Sequence, residues 1–216
     1  MWAAKQATPT MPREEKVAGV LLAGGLSRRM GGGDKALAEL GGTTLLQRVI
    51  DRARPQVATL AINANGDPAR FADFGLPVIP DVIDGFAGPL AGVLTGLEWA
   101  AEHAPDYAWV ASFATDAPFL PTDLVARLLD AVDGADMACA ASDGRHHPVF
   151  GLWPVTLRHD LRRAVFDEDI RKVDIWTARY RLAVADFAID PMDPFFNANR
   201  PDDLAQAEAL LARSEA

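Results

Sequence analysis

The chain has 216 residues, half of them apolar, with 30 acidic and 21 basic residues, a net charge of −9 and one cysteine. That length can bury one sizeable core without cross-links, and the lone Cys139 excludes an internal disulfide framework and suits a reducing cytoplasm. The acidic balance argues against a nucleic-acid binder, whose affinity comes from basic surface, and no apolar run reaches the roughly 18 residues needed to span a bilayer.

Residues 1–15 carry prolines, threonines and glutamates but no apolar stretch, so they lack a signal-peptide core and read as a floppy tail. Met1 and Met11 both qualify as starts. Residues 16–216 read as one domain. Val17–Ala23 is expected as a buried strand, followed by a glycine-rich loop. Thr44–Arg54 suits a helix, Val57–Asn63 a second strand and Pro77–Pro80 a short third one. Leu90–His103 reads as a helix, Trp109–Ala114 as a strand, and Thr122–Asp133 as a helix with Thr122 as its N-cap. Further on, Met137–Ala141 and Val149–Trp153 look like strands, Leu157–Phe166 like a helix, Leu182–Phe187 like a late strand and Asp202–Arg213 like a closing helix. The alternation predicts an α/β domain around a mostly parallel sheet, with ligands at the carboxyl ends of strands.

The loop Leu21-Leu22-Ala23-Gly24-Gly25-Leu26-Ser27-Arg28-Arg29-Met30-Gly31-Gly32-Gly33-Asp34-Lys35 leaves the first strand. Its glycines permit backbone N–H groups to converge on a phosphate. Arg28, Arg29 and Lys35 add charge-assisted donors. A P-loop is excluded because Asp34 precedes the lysine and Ala36 follows it. A dinucleotide fingerprint is excluded because the second strand ends in Asn63-Ala64-Asn65, without an acid for a ribose diol. Those asparagines suit a turn, or contacts to a purine or ribose. Asp81 follows a short strand, where it either caps a loop or accepts from a base. Asp116, directly after an apolar strand and before Ala117-Pro118, is a hard oxygen ligand suited to Mg²⁺ held between phosphates. Four histidines and one cysteine offer no zinc spacing, and no nucleophile–base constellation appears.

The loop pattern L-A-G-G-x-S-x-R-M-G-x-x-D-K resembles the nucleotidyltransferases with a Rossmann-like fold, and within them the molybdenum cofactor guanylyltransferases. Gly88-Pro89-Leu90-Ala91-Gly92, His147-Pro148-Val149-Phe150-Gly151 and Phe196-Asn197-Ala198-Asn199-Arg200-Pro201 are similar to further segments of that family, although Arg200 stands where threonine is commoner. The resemblance runs from Val17 to the final helix. It implies a three-layer α/β/α fold with a mostly parallel central sheet, the N-terminal part binding GTP and the C-terminal part contributing the molybdopterin side.

It further implies that Leu22, Ala23, Gly24, Gly25, Lys35, Asn63, Asp81 and Asp116 bind GTP. Lys35, Arg29 and Asp116 are then catalytic, with Asp116 holding Mg²⁺. His147 would shape the acceptor pocket, and Asn197 and Asn199 would return to its end of the cleft. Arg171 serves either the pterin phosphate or surface solvation. The implied reaction is transfer of GMP from GTP to molybdenum-molybdopterin with release of pyrophosphate. A cytidylyltransferase, a sugar-phosphate nucleotidyltransferase and a non-catalytic cofactor carrier are the alternatives. Molybdoenzymes or their chaperones are conceivable recipients of the product, but no motif here speaks for them.

Overall fold

The first strand is apolar along its whole length, VAGVLL, and only its last residue is not fully buried. A strand without polar alternation belongs in the middle of a sheet covered on both faces, and that is where it lies. The structure is a computed structural model describing residues 17–24, 35–83, 85, 88–190 and 192–214. The 1–15 tail, and Gly25, Arg28 and Arg29 of the glycine-rich loop, lie outside the described residues.

The elements are β1 (Val17–Leu22), β2 (Glu39–Leu40), β3 (Thr43–Thr44), α1 (Leu45–Ala53), β4 (Thr59–Asn63), β5 (Val78–Ile79), α2 (Pro89–His103) and β6 (Trp109–Ala114). They continue with α3 (Leu124–Ala131), β7 (Met137–Ser142), β8 (Arg145–Pro154), α4 (Arg158–Phe166), α5 (Val173–Thr177), β9 (Leu182–Phe187) and α6 (Pro201–Ser214). Seven strands form one sheet in the order β5-β4-β1-β6-β8-β7-β9. Its pairs are parallel except those made by β8, which runs antiparallel to both β6 and β7.

Alternate side chains of β1 go to opposite faces. Val17 and Leu21 join Leu46, Val49 and Ile50 of α1 and Leu124, Val125 and Leu128 of α3 on one face. Ala18 and Val20 join Leu90, Val93, Leu94 and Leu97 of α2, Leu161 of α4 and Trp176 of α5 on the other. The result is the expected three-layer α/β/α arrangement with a mostly parallel sheet. Helix α2 lies unusually near β1 because Gly92 and Gly96, one turn apart on one face, present no side chain there. A Cβ on Gly96 would meet Val20 Cγ1 at 2.7 Å. Helix α6 closes over the β2–β3 ribbon, where Leu40 and Leu45 meet Ala207 and Ala198.

Several local expectations are corrected. Thr122 is not the N-cap of α3: that helix begins at Leu124, Asp123 occupies the cap position, and its side chain makes no capping bond. The cap comes from far along the chain. Gln56 Oε1 accepts from Val125 N (2.9 Å), while its Nε2 donates to Arg52 O and Pro121 O (2.8 Å each). Strand β8 is twice the length expected, and it is interrupted. Cys139 pairs with Gly151 but the next residue, Ala140, pairs with His147, so Pro148, Val149 and Phe150 leave the ladder. Proline has no N–H to give there. Ser112, fully buried in β6, serves the irregularity by donating to Val149 O (2.7 Å) and accepting from Trp153 Nε1 (2.8 Å). Among the described residues, no helix is long and apolar enough to cross a membrane.

Candidate active site

The chain leaves β1 toward β4 and β5 on one side and returns through β6 on the other. Strands β1 and β6 therefore flank the point where the strand order reverses, the usual ligand crevice of an open parallel sheet. The register aligns what lies there. Leu22 pairs with Asn63 on one side and with Ala114 on the other, and Asn63 pairs with Ile79. The residues just beyond, Ala23 and Gly24, Asn65, Asp81 and Asp116, thus share the carboxyl rim. Ala23 N donates to Asn63 O (2.9 Å), and Thr115 Oγ1 donates to Leu22 O (3.3 Å), sealing the three strand ends together.

Two clusters form on this rim. On the β4–β5 side, Asn63 is only 2% exposed. Its Nδ2 donates to Ile79 O (3.2 Å) and to Asp81 Oδ1 (2.9 Å). Asn65 Nδ2 donates to Asp81 Oδ2 (2.8 Å), and Asp81 N donates to Asn65 Oδ1 (2.8 Å). Gly92 sits against this cluster: a Cβ there would lie 2.5 Å from Asn63 Oδ1 and 2.7 Å from Leu22 Cδ2. Gly24 is looser, its Cβ position being 3.7 Å from Asn63 Oδ1.

On the β6 side, Lys35 Nζ donates to Asp116 Oδ2 (2.7 Å) and also to Asn199 Oδ1. Both ends of the ion pair keep partial exposure. The C-terminal segment is laid across this corner, because Ala198 N donates to Asp116 O (2.8 Å). Asp203, in the first turn of α6, holds the segment by accepting from Asn199 N and Arg200 N (2.8 Å each). Residues 164 positions apart therefore meet at one ammonium group.

The other acceptor-side candidates are placed differently. Asn197 is exposed, and its carbonyl accepts from Asn199 N (3.1 Å). Arg171 donates to Asp169 Oδ1 (2.9 Å) in an exposed ion pair. His147 is 7% exposed, with its ring centroid 4.6 Å from that of Phe195. Its Nε2 lies 2.7 Å from Ser142 Oγ, which donates to Asp193 Oδ1 (2.9 Å). A hydroxyl has one proton to give, so the imidazole N–H donates to Ser142. Burial holds the His147 pKa below the ordinary histidine value, with Asp193 opposing. Cys139 is buried and its thiol is pushed up to about 11, which disqualifies it as a nucleophile.

The sequence left Asn65 between a turn and a nucleoside contact, without its bond to Asp81, and gave Asp203 no role. Asn65 carried a signal in its position two residues after Asn63, on the same face of an extended chain. Asp203 carried one as an acid in the first turn of a helix.

Residues 19–180 match the family described as the MobA-like NTP transferase domain. The molybdenum cofactor guanylyltransferase of Rhodopseudomonas palustris (strain HaA2) is 63% identical over 196 residues, covering 90% of this chain and 92% of that protein. The fold is similar to that of molybdopterin-guanine dinucleotide biosynthesis protein A from Archaeoglobus fulgidus, with a TM-score of 0.69, 22% identity and coverage of 91% and 99% of the two chains. It is also similar to a Mycobacterium tuberculosis protein in complex with manganese, with a TM-score of 0.65, 17% identity and coverage of 90% and 98%. The chain belongs to the MobA-like NTP transferase family and is a nucleotidyltransferase.

Proposed function

We propose that the chain transfers GMP from GTP to molybdenum-molybdopterin, forming molybdopterin guanine dinucleotide cofactor and pyrophosphate. The observation that carries this reading is the Lys35–Asp116–Asn199 cluster at the switch point of the sheet. It brings Lys35, at the end of the glycine-rich loop, together with Asp116 beyond β6 and Asn199 of the segment before α6, so that one corner of the carboxyl rim draws on both halves of the chain.

The terminal phosphate of the pterin is ionised and nucleophilic without help. One of its oxygens forms a bond to the α-phosphorus of GTP in line, while the α–β bridging bond breaks and its electron pair leaves on pyrophosphate. No proton has to be removed, so the protein supplies position and charge. Lys35 has three N–H donors, and two are engaged by Asp116 and Asn199. The third, and any released when substrates arrive, point to phosphate oxygens. Arg29 and the backbone of Gly24 and Gly25 complete that cradle in this reading. Asp81, oriented by Asn63, accepts from the guanine N–H edge, while Leu22 and Ala23 shape the floor beneath the nucleoside. Asn197 and Asn199 serve the acceptor, and Arg171 is its candidate phosphate contact.

The donor set suits Mg²⁺. Asp116 already holds a cationic group against one carboxylate oxygen. Among the described residues, no three His, Cys, Asp or Glu side chains gather to cage a metal. One carboxylate completed by waters and phosphate oxygens is the usual arrangement for Mg²⁺ at a nucleotide. Bound at Asp116, the ion would supply neutralisation of phosphate charge.

The test is incubation of the protein with Mg²⁺, molybdenum-loaded molybdopterin and either GTP or CTP, followed by chromatographic identification of the dinucleotide. A guanine dinucleotide formed from GTP alone is the expected result. Product from CTP would move the chain to the cytidylyl branch. No product from either, beside an active control enzyme, would remove molybdopterin as the acceptor.

A further inference from the structure

Asn65 has no part in the reaction described above, and its geometry is more particular than a turn requires. One planar amide spans two parts of the same residue: its oxygen accepts from the backbone N–H of Asp81, and its nitrogen donates to the Asp81 carboxylate, both at 2.8 Å. Asn63 holds the other carboxylate oxygen at 2.9 Å. We propose that Asn65 is a specificity-determining positioning residue, which fixes the plane of the Asp81 carboxylate so that it reads guanine. The inference rests on Asp81 being the guanine acceptor.

Each carboxylate oxygen has about two acceptor sites. The two asparagines occupy one on each oxygen and leave one on each. Guanine presents two adjacent donors, N1–H and the 2-amino group, on its Watson–Crick edge. Adenine and cytosine each present a donor beside an acceptor, so a carboxylate fixed in this way discriminates against both. A carboxylate free to rotate would have to be ordered during binding, and fixing it beforehand removes that cost.

Asn65 is itself anchored. The Arg70 guanidinium donates to its carbonyl and lies 4.7 Å from the centroid of the fully buried Phe71 ring. Gly66, with φ +87°, lets the chain turn away directly afterward. The β4–β5 pairing does not need the Asn65 side chain, because Ile62 N donates to Pro77 O (2.8 Å) and Ala64 N to Ile79 O (3.0 Å). The amide is exposed, so the side chain is not there to fill a core.

The experiment compares GTP with inosine triphosphate, which lacks only the 2-amino group. Dissociation constants and turnover are measured for wild type, Asn65→Ala, Asn65→Asp and Asp81→Asn. Wild type should prefer GTP, and Asn65→Ala should lose about tenfold of that preference through weaker GTP binding, with kcat within about twofold. Asn65→Asp keeps the size and the acceptor for Asp81 N but sets a second carboxylate against Asp81. It should lose more preference than the alanine variant, and it remains informative should the alanine variant fail to fold.

If Asp81→Asn abolishes the preference while both folded Asn65 variants keep it, the role of Asn65 is overturned and that of Asp81 stands. Equal weakening of both nucleotides in the Asn65 variants, with the ratio unchanged, would reduce Asn65 to general support and also overturn the proposal. If wild type has no preference, or Asp81→Asn retains it, the guanine reading of Asp81 fails and takes the proposal with it.

Discussion

The two corners of the carboxyl rim are built on different principles. In the β4–β5 corner, Asp81 is held by two neutral amides, each donor matched to an acceptor, on a backbone locked by strand pairing. In the β6 corner, Lys35, Asp116 and Asn199 satisfy one another, and the ion pair is partly exposed. A substrate has to compete with those internal bonds. The first arrangement suits recognition, where a fixed shape discriminates. The second suits reaction, because charges that pair in the free protein can be redirected to phosphates without leaving an ion unsatisfied. Losses in the first corner should therefore fall on nucleotide binding and losses in the second on turnover.

The largest effect expected is in the reaction corner. Asp116→Ala and Lys35→Ala should each lower kcat on the order of 10³-fold, with circular dichroism unchanged. Near-normal turnover in either folded variant would erase the distinction between the corners. Next is a residue in neither corner. Gln56, 6% exposed, makes three bonds that tie α1 to the start of α3. Gln56→Ala leaves buried groups unpaired and should cost about 3 kcal/mol, with kcat and KM at low temperature unchanged. Calorimetry or denaturant titration checks the first part, and an unchanged melting temperature would contradict it.

A smaller effect separates the corners by parameter. Gly92→Ala places a methyl where Asn63 Oδ1 and Leu22 Cδ2 already stand. Displacing Asn63 loosens Asp81, so KM for GTP should rise about tenfold while kcat holds. A fall in kcat at constant KM would reverse the assignment. The smallest effect is in the interior. The pKa of His147 is lowered in the folded protein from the ordinary 6.5, chiefly by burial. The unfolded chain therefore binds that proton more readily, and this contribution is complete above about pH 6.5 and is lost as the pH falls below it. Melting temperatures between pH 7.5 and 5.5 should decline less steeply in His147→Gln than in wild type. Parallel curves would show that His147 does not titrate against the fold.

The legible and illegible parts of the chain divide along physical lines. Strand β1, helix α2 and strand β6 were readable because an apolar run and its breakers are local properties. Asp116 and Asp81 were readable because each stands two residues beyond the end of a parallel strand, which puts it on the carboxyl rim. Thr122 misled because the local cap signal is outbid by Gln56, 69 residues before Val125. The packing of His147 against Phe195 was not legible, because nothing in the string announces that Pro148–Phe150 leave the β7–β8 ladder. The meeting of Lys35 with Asn199 depends on the path of the whole sheet, and spacing alone could not have paired them. The resemblance placed Asn197 and Asn199 near the acceptor side, but the bond of Asn199 to the lysine came from the fold.

The most direct measurement is a single turnover with GTP labelled at the α-phosphate, mixed with Mg²⁺, molybdenum-loaded molybdopterin and excess protein, and quenched in time. Direct transfer predicts that the label passes from GTP into the guanine dinucleotide in step with pyrophosphate release, and none remains on acid-precipitated protein. Label carried transiently by the protein, or recovered only as free GMP, would contradict the account.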